Sequence, residues 1–371
     1  MPALTTFQDF VIATDQKVIT PSTKILNEAV KNTYILKSAQ RGRGDDELMQ
    51  GGSSLVDMIQ LTDNGSFQFY VPYQDLNATA TDTMTKISVQ WRFAVGYYVW
   101  SDEEVELNEG DQEATYKKLL KSKKQACNTS TFNGMEDAVW AFPSASNMEA
   151  TAGEVPYSIP AFIDEIGTDH HWPGFTNIMG VDPDLEDRWR NKISRYNSAD
   201  PFDELDGIVA AFDDMWLSVR FESPETASDY FENDMLNKMK ILTNKDGVKK
   251  YKANLRALND RTVTPQDAAY NDPTYSGVPV KYISTLDTAL LDQEAASTTP
   301  SAWADGAPRY YFLNFSFLYP IYHSKRYMKS TNPMNDVKQP FSWVVYKNTY
   351  YNWFCRSRQR QGIVTPVGFA A

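Results

Sequence analysis

The segment from Ile87 to Val99 alternates between apolar and other side chains, and this pattern restricts the fold more than any other in the chain. Apolar residues stand at every second position, seven in all. A period of two predicts a β-strand, because successive side chains point to opposite faces of a sheet. The pattern is longer than the ~5–6 residues of a typical strand. The chain must therefore contain a long strand whose apolar face is covered.

An earlier segment shows the same alternation and is the predicted partner of this strand. Phe67, Phe69, Val71 and Tyr73 are separated by single residues, and a polar, threonine-rich stretch follows them. The two segments predict a β-hairpin whose tip lies near residues 78–82. A two-stranded ribbon is marginally stable on its own. Either the core of the same chain or a neighbouring subunit must cover it, and both alternatives stay open.

Charged residues predict a helix after the hairpin. Acidic residues come first and lysines follow, as the helix dipole favours, so a helix is expected from Asp111 to Cys127. Asp200 can cap another helix, and Pro201 suits its first position. Apolar spacing predicts helices at about residues 22–34, 132–142, 200–220, 224–243 and 247–258.

The C-terminal part of the chain returns to β-structure. Segments Tyr310–Tyr319 and Phe341–Phe354 are apolar or aromatic at nearly every position, which predicts strands covered on both faces. A turn followed by a strand is expected at 275–284, and a last strand at 362–367. Helices and strands in separate runs are typical of the α+β fold class. Loop-rich segments are predicted at 143–200 and 290–308.

The charge of the chain is −12, which argues against a protein that holds nucleic acid on a general basic surface. Seven acids and no base lie between Asp102 and Glu113, whereas residues 301–371 contain nine Lys or Arg and two acids. Blocks of opposite charge suit a protein that binds copies of itself. Charged surfaces that only contact water are the alternative interpretation.

Linear motifs for catalysis are absent from the sequence. No nucleophile elbow, phosphate-binding glycine loop or zinc-binding helix motif occurs. Cys127 and Cys355 lack the spacing of metal ligands. His170 and His171 are adjacent, and neighbouring side chains diverge on most backbones. We therefore expect no catalytic residue, metal or cofactor, with a metal-dependent enzyme that uses this histidine loop as the alternative.

The sequence predicts neither a membrane-spanning segment nor a secretion signal. The first residues lack a basic stretch followed by an apolar one, and no apolar run approaches the ~20 residues that span a bilayer. We therefore expect no membrane partner and folding in a cytoplasm.

Four segments, in this order along the chain, resemble one known family. They are FQFYVPYQ…ISVQWRFAVGYYVW, WPGFTNIMGVDP…RWRNKIS, GVPVKYISTLD and RYYFLNFSFLYP…QPFSWVVYKN…CRSRQRQGIV. Together with the order of predicted helices and strands, they are similar to the major capsid proteins of tailed bacteriophages, which have the Hong Kong 97-type fold.

The resemblance implies a division of the chain into named parts. Residues 1–60 would be an N-terminal arm and residues 64–93 an extended loop that overlaps a neighbour. Residues 94–174 and 305–371 would form a peripheral domain with its spine helix at 111–127. Residues 175–304 would form an axial domain.

The resemblance also implies a function. Copies of the chain would assemble as hexamers and pentamers into the icosahedral shell of a virion that encloses double-stranded DNA, contacted weakly or indirectly. Separate scaffolding and portal proteins, and possible decoration proteins, would be the partners. Some relatives cross-link a loop lysine to an asparagine, but Lys86 lies away from the predicted tip, so no cross-link is expected. A compartment shell of the encapsulin type is the nearest alternative.

Aromatic and charged side chains of the hairpin, the acidic segment, the spine helix and the basic tail are the predicted contacts between subunits. These candidates are Phe69, Tyr73, Lys86, Trp91, Arg92, Glu103, Glu104, Lys117, Lys121, Arg356 and Arg358.

Overall fold

The computed structural model describes most of the chain between residues 48 and 367. The first 47 residues of the predicted N-terminal arm, with its helix, lie outside the described residues, as do Tyr73, the hairpin tip and most of the linker at 290–308. The described residues are 48–49, 51–62, 67, 69–72, 83–106, 112–150, 153–165, 171–172, 174–197, 200–201, 203, 205–219, 239–259, 273–287, 308–335 and 341–367.

Helices lie mainly in the first two thirds of this part of the chain. They are α1 (Asp102–Glu106), α2 (Gln112–Val139), α3 (Ala145–Met148), α4 (Ile159–Phe162), α5 (Ile208–Val219) and α6 (Lys245–Asn259), with short 3-10 turns at Asp187–Trp189 and Arg358–Arg360.

Strands are distributed over the whole described part and form three sheets. They are β1 (Leu48–Met49), β2 (Ser54–Gln60), β3 (Met84–Gln90), β4 (Arg92–Ser101), β5 (Lys192–Tyr196), β6 (Met239–Thr243), β7 (Thr274–Tyr275), β8 (Val278–Tyr282), β9 (Tyr310–Asn314), β10 (Leu318–His323), β11 (Lys329–Ser330), β12 (Met334–Asn335), β13 (Ser342–Cys355) and β14 (Gly362–Pro366).

The first sheet is built around the long strand β13. Strand β4 pairs antiparallel with it from Ser101 opposite Ser342 to Arg92 opposite Tyr351. Strands β10, β11 and β12 also pair with β13, and β1 adds parallel to β10. Helix α2 crosses one face of this sheet very closely, since a Cβ at Gly96 would lie 2.4 Å from the Thr131 hydroxyl oxygen. Glycine is favoured at this crossing because a Cβ would force the Thr131 side chain or the helix to shift.

The second sheet has the strand order β5-β14-β9-β6-β8-β7. Helix α5 lies on it so closely that a Cβ at Gly362 would be 2.1 Å from the Met215 sulfur. Alternate residues of β9 point into two cores: Tyr310 and Phe312 join the core under α5, and Tyr311 joins the main core. All residues of β9 and β14 are buried. The predicted covering of both faces is therefore confirmed for β9.

The hairpin exists, but its first strand was wrongly predicted. Strand β2 pairs with β3 from Ser54 opposite Gln90 to Gln60 opposite Met84. The described residues among 67–73 are in no strand. Strand β2 is favoured because its register buries Leu55 beside Val89 in the main core. The exposed aromatic residues of the other segment belong to the connection between the two strands.

The predicted long strand is interrupted at Trp91. The indole N–H of Trp91 donates to the carbonyl of Gly52 at 3.0 Å, and β4 begins at the next residue in a different sheet. Ile87 and Val89 before the interruption are buried, whereas Phe93 after it is 66% exposed. One alternating pattern therefore serves two environments.

Helix α2 is longer than predicted and includes residues 132–139 of the second helix expected at 132–142. The polar residues after Cys127 continue the helix, and the Thr131 hydroxyl donates to the carbonyl of Cys127 at 2.8 Å. Such a bond lets threonine remain within a helix instead of ending it.

The predicted start of α5 at residue 200 is wrong. The N–H of Gly207 donates to the Asp203 carbonyl, and the N–H of Leu205 donates to the Asp203 carboxylate at 2.9 Å. These bonds hold residues 203–207 in turns, as aspartate and glycine favour. The helix begins only at Ile208.

Two further predicted segments have other boundaries in the structure, whereas the helix predicted for α6 is confirmed. Residues 239–243, expected at the end of a helix, form β6 because β8 and β9 pair with both of its edges. The predicted strand Tyr310–Tyr319 is divided by a turn in which Phe317 N–H donates to the Asn314 carbonyl at 3.1 Å. The helix expected at 247–258 is present as α6.

The two glycines near the α2 crossing should respond to alanine in opposite directions. We expect Gly96→Ala to lower the free energy of unfolding by roughly 1–3 kcal/mol, because the new methyl group overpacks the contact with Thr131. Gly134→Ala should raise it by up to about 1 kcal/mol, because Gly134 lies within α2 and its added Cβ meets nothing within 4 Å. Urea unfolding of the unassembled chain measures both; equal effects would contradict the close crossing.

Candidate interaction surface

The face of the first sheet opposite α2 exposes a row of apolar side chains. Phe93, Val95 and Tyr97 of β4 are 66%, 62% and 65% exposed. Tyr350 and Tyr346 of β13 stand opposite Phe93 and Tyr97, with ring centroids 4.5 Å and 6.2 Å apart. We call these five residues the aromatic face. Period two places all three residues of β4 on the same side.

Helix α2 covers the other face of this sheet, so it cannot cover the aromatic face. Gly96 contacts Thr131 of α2. The ammonium group of Lys347, on the same side, is hydrogen-bonded to Asn128 and only 4% of the residue is exposed. One side of the sheet is therefore filled by its own helix, and within the described residues the other side remains open to solvent.

The hairpin connection exposes a second apolar group. Phe67, Phe69, Tyr70 and Val71 are between 66% and 89% exposed. Phe67 and Phe69 contact each other edge to face, with ring centroids 5.1 Å apart. We call these four residues the connection segment.

These two groups are costly for a protein that stays monomeric. Full burial of one large apolar side chain is worth ~1.5–3 kcal/mol, so several neighbours together favour association strongly. Contiguous apolar surfaces of this kind mark places where another molecule binds. The aromatic face and the connection segment are therefore the candidate interaction surface.

The predicted contact residues of the hairpin divide into exposed and buried ones. Phe69 and Lys86 are exposed. Trp91 is buried, and Arg92 is 2% exposed because its guanidinium donates to the carbonyls of Met148 and Ala150 at 2.6 and 2.7 Å. Burial lowers the pKa of Arg92. Arg92 therefore fixes the α3 segment against β4 within its own subunit.

The acidic and lysine candidates lie around α1 and α2. Glu103 and Lys121 are exposed, and Glu104 forms an ion pair with Lys123. The side chain of Lys117 lies outside the described part of the structure.

Of the two predicted arginines, one is at the surface and one is in the core. Arg356 Nε donates to the Asp57 carboxylate at 2.6 Å and thereby joins the end of β13 to the hairpin. Arg358 is fully buried, and its guanidinium donates to the carbonyls of Phe162 and Trp189 at 2.7 and 2.8 Å. Burial lowers the pKa of Arg358 to about 10.

Sequence patterns did not identify Arg188 as a neighbour of the tail arginines. It lies near the tail arginines in space, although about 170 residues separate them in the chain. The only signal in the sequence was the arginine-rich segment RWRNK, which was not assigned a contact. Contacts between the two 3-10 turns, at 187–189 and 358–360, bring these cations together.

His171 makes polar contacts within its own subunit, and Cys355 is buried. His171 Nε2 lies 3.7 Å from the Asp184 carboxylate, and its Nδ1 lies 3.1 Å from the Trp172 carbonyl. His170 lies outside the described residues. Burial raises the pKa of Cys355 to about 12, which keeps this thiol protonated. Within the described ranges, no three His, Cys, Asp or Glu side chains group as metal ligands would.

Among the helices that the structure describes, none combines the length and the apolar character needed to cross a membrane.

Comparisons with known proteins give structural matches only. No family model and no curated protein matches the chain. The capsid asymmetric unit of cyanophage A-1(L) matches with a TM-score of 0.56 and 10% identity, over 97% of this chain and 98% of that chain. A structure from Mycobacterium phage Bobi matches with a TM-score of 0.51 and 8% identity, over 96% and 97%.

At such low identity the matches establish the fold. The chain has the fold of the cyanophage capsid subunit over nearly its whole length. The predicted α+β class and the resemblance to the Hong Kong 97-type capsid fold are thereby confirmed at the level of the fold.

Arg358 should be essential for stability, in contrast to Arg188. We expect Arg358→Met to lower the free energy of unfolding by roughly 3 kcal/mol, because buried carbonyls lose their donor. Arg188→Met should change it by less than about 0.5 kcal/mol, because Arg188 is exposed. Chemical denaturation of the two unassembled variants gives the comparison; similar losses in both would refute the role of Arg358.

Proposed function

We propose that this chain is a major capsid protein. Copies assemble as hexamers and pentamers into an icosahedral shell that encloses the double-stranded DNA of a phage. The observation that carries the proposal is the fold shared with the cyanophage capsid subunit over 97% of this chain. Sequence identity of 10% leaves the function an inference from that fold.

The exposed apolar surfaces support assembly on independent physical grounds. The aromatic face and the connection segment lie on different parts of one chain, and both need a covering surface. A shell in which each copy contacts several neighbours can cover both. Many modest contacts of this kind add up to a stable assembly.

The parts of the chain have proposed roles in the shell. Residues before Ser54 are the N-terminal arm, and the extended loop that overlaps a neighbour, expected at 64–93, includes β2 because β2 and β3 pair as one hairpin. Within this loop, Ile87 and Val89 belong to the core of their own subunit. Overlap with a neighbour therefore falls to the exposed connection segment. Residues 94–174 and 305–371 form the peripheral domain, and residues 175–304 the axial domain.

The partners of the chain follow from its charge and from the shell geometry. A net charge of −12 favours weak or indirect contact with packaged DNA. Separate scaffolding and portal proteins are the further partners that a capsid role implies. Assembly takes place in the host cytoplasm, and the protein acts as a structural subunit of the virion without catalysis.

Loss of the aromatic face should prevent assembly without unfolding the subunit. We expect the double variant Phe93→Ser/Tyr97→Ser to reduce the assembled fraction at least roughly tenfold, because two exposed rings lose most of their burial energy. Electron microscopy and sedimentation of the expressed chain, with and without a co-expressed scaffolding protein, measure the outcome.

A matched control uses exposed apolar residues elsewhere. Leu185 and Leu217 are 81% and 75% exposed and lie outside both surfaces. The double variant Leu185→Ser/Leu217→Ser should assemble as the unmodified chain does. An unmodified chain that stays monomeric under all these conditions would refute the proposed function. Normal assembly of Phe93→Ser/Tyr97→Ser would show that the aromatic face is not needed for assembly.

A further inference from the structure

Opposite charges lie at opposite ends of the β4–β13 ladder. Helix α1 begins directly after β4, and the N–H of Asp102 donates to the Phe341 carbonyl at 2.9 Å, just before β13. Arg356 follows directly after the other end of β13. The strand between them contains 14 residues, so the two ends are about 45 Å apart at ~3.3 Å per residue.

The basic end contains a cavity lined by three guanidinium groups. Arg188, Arg356 and Arg360 line a cavity of about 260 Å³, which we call the arginine pocket. Ile59 and Trp189 supply part of its apolar wall. A guanidinium presents paired N–H groups that match the two oxygens of a carboxylate.

The arginine pocket has an excess of positive charge. Among the described residues that line it, none is a carboxylate. Asp57, which accepts a hydrogen bond from Arg356 at 2.6 Å, is the acid recorded at its border. Asp187, next to Arg188, forms its ion pair with Arg190 instead, at 2.6 Å. An anionic group from outside would therefore meet a cationic site with partly apolar walls.

Among the acidic side chains that the structure describes at this end, which are Asp102, Glu103 and Glu104, one is exposed. The Asp102 carboxylate accepts a hydrogen bond from the indole of Trp343 at 2.6 Å, and Glu104 pairs with Lys123. Glu103 between them is exposed, and the described part of the chain supplies it with no ion pair. Of these three described acids, Glu103 is thus the one that a second molecule can reach most readily.

We propose that Glu103 of one copy binds in the arginine pocket of the next copy. Within one subunit the two sites cannot meet, because they lie at opposite ends of a strand about 45 Å long. They also do not attract each other at that distance, since the screening length is ~8 Å at physiological salt. Between copies the contact is head to tail, and repetition of such a contact closes a ring when the rotation from one copy to the next divides a full turn. This inference rests on the proposed function, since it assumes that copies assemble.

A carboxylate fits the pocket better than nucleic acid does. A phosphate backbone is held by many cations along an extended path, whereas this site is one local, half-open cavity in a chain of charge −12. The apolar wall formed by Ile59, Leu61 and Phe317 suits the methylene groups of a glutamate.

An exchange of charges tests the contact. Glu103→Arg and Arg188→Glu should each reduce the assembled fraction roughly tenfold at 0.15 M salt, because each places like charges together. The double variant Glu103→Arg/Arg188→Glu should recover most of the assembly, because the pair is restored in reverse. Sedimentation of chains at equal concentration gives the fraction, and unfolding midpoints of the single variants check their folding.

Exposed charges elsewhere provide matched controls. Asp214→Arg on α5 and Lys329→Glu on β11 make the same changes of charge at exposed positions and should leave the assembled fraction unchanged. Effects as large in these controls would overturn the inference by showing that net charge alone matters.

The remaining outcomes separate the inference from the proposed function. If the unmodified chain does not assemble, the proposed function fails. If it assembles and the single reversals or the double variant behave otherwise than expected, the contact is overturned and the proposed function stands. Weakening by Arg188→Glu alone, with loss of co-purified nucleic acid, would assign the pocket to phosphate and likewise overturn the contact.

Discussion

The pairing of β13 with β4 on one edge and with β10 on the other is the interaction on which the rest of the structure depends. The C-terminal half of β13 lies in the main core, whereas its N-terminal half is covered by α2 on one side only. One strand therefore supplies both a stable centre and an open apolar face. The same strand sets the distance between the acidic and basic ends.

Features that depend on local pattern were predicted correctly from the sequence. Period two identified β-structure at 87–99, although as one strand where β3 and β4 are two, and apolar residues on both faces identified β9 as a covered strand. Helix α6 followed from its apolar spacing. These predictions succeed because burial of alternate or helically spaced side chains is encoded in consecutive residues. Whether such a segment forms a helix or a strand therefore depends more on the order of its own residues than on its surroundings.

Features that depend on distant residues were predicted incompletely. Strand β2 replaced the expected hairpin partner because its register buries Leu55, and the interruption at Trp91 depends on the Gly52 carbonyl. Burial of Arg358 against the Phe162 and Trp189 carbonyls is equally invisible in a charged tail. Each of these contacts joins segments far apart in the chain, so propensity and spacing carry no information about them.

The net charge of −12 makes the placement of charge decisive for association. Copies with this charge repel one another at long range, so association requires local attraction that exceeds the repulsion. Apolar burial on the aromatic face supplies attraction without direction. Opposite charges at the two ends of the ladder supply direction, because acid meets base only when copies align head to tail. Higher salt weakens both the repulsion and the directing contact. Apolar surface therefore sets how strongly copies associate, and the charged ends set in which arrangement.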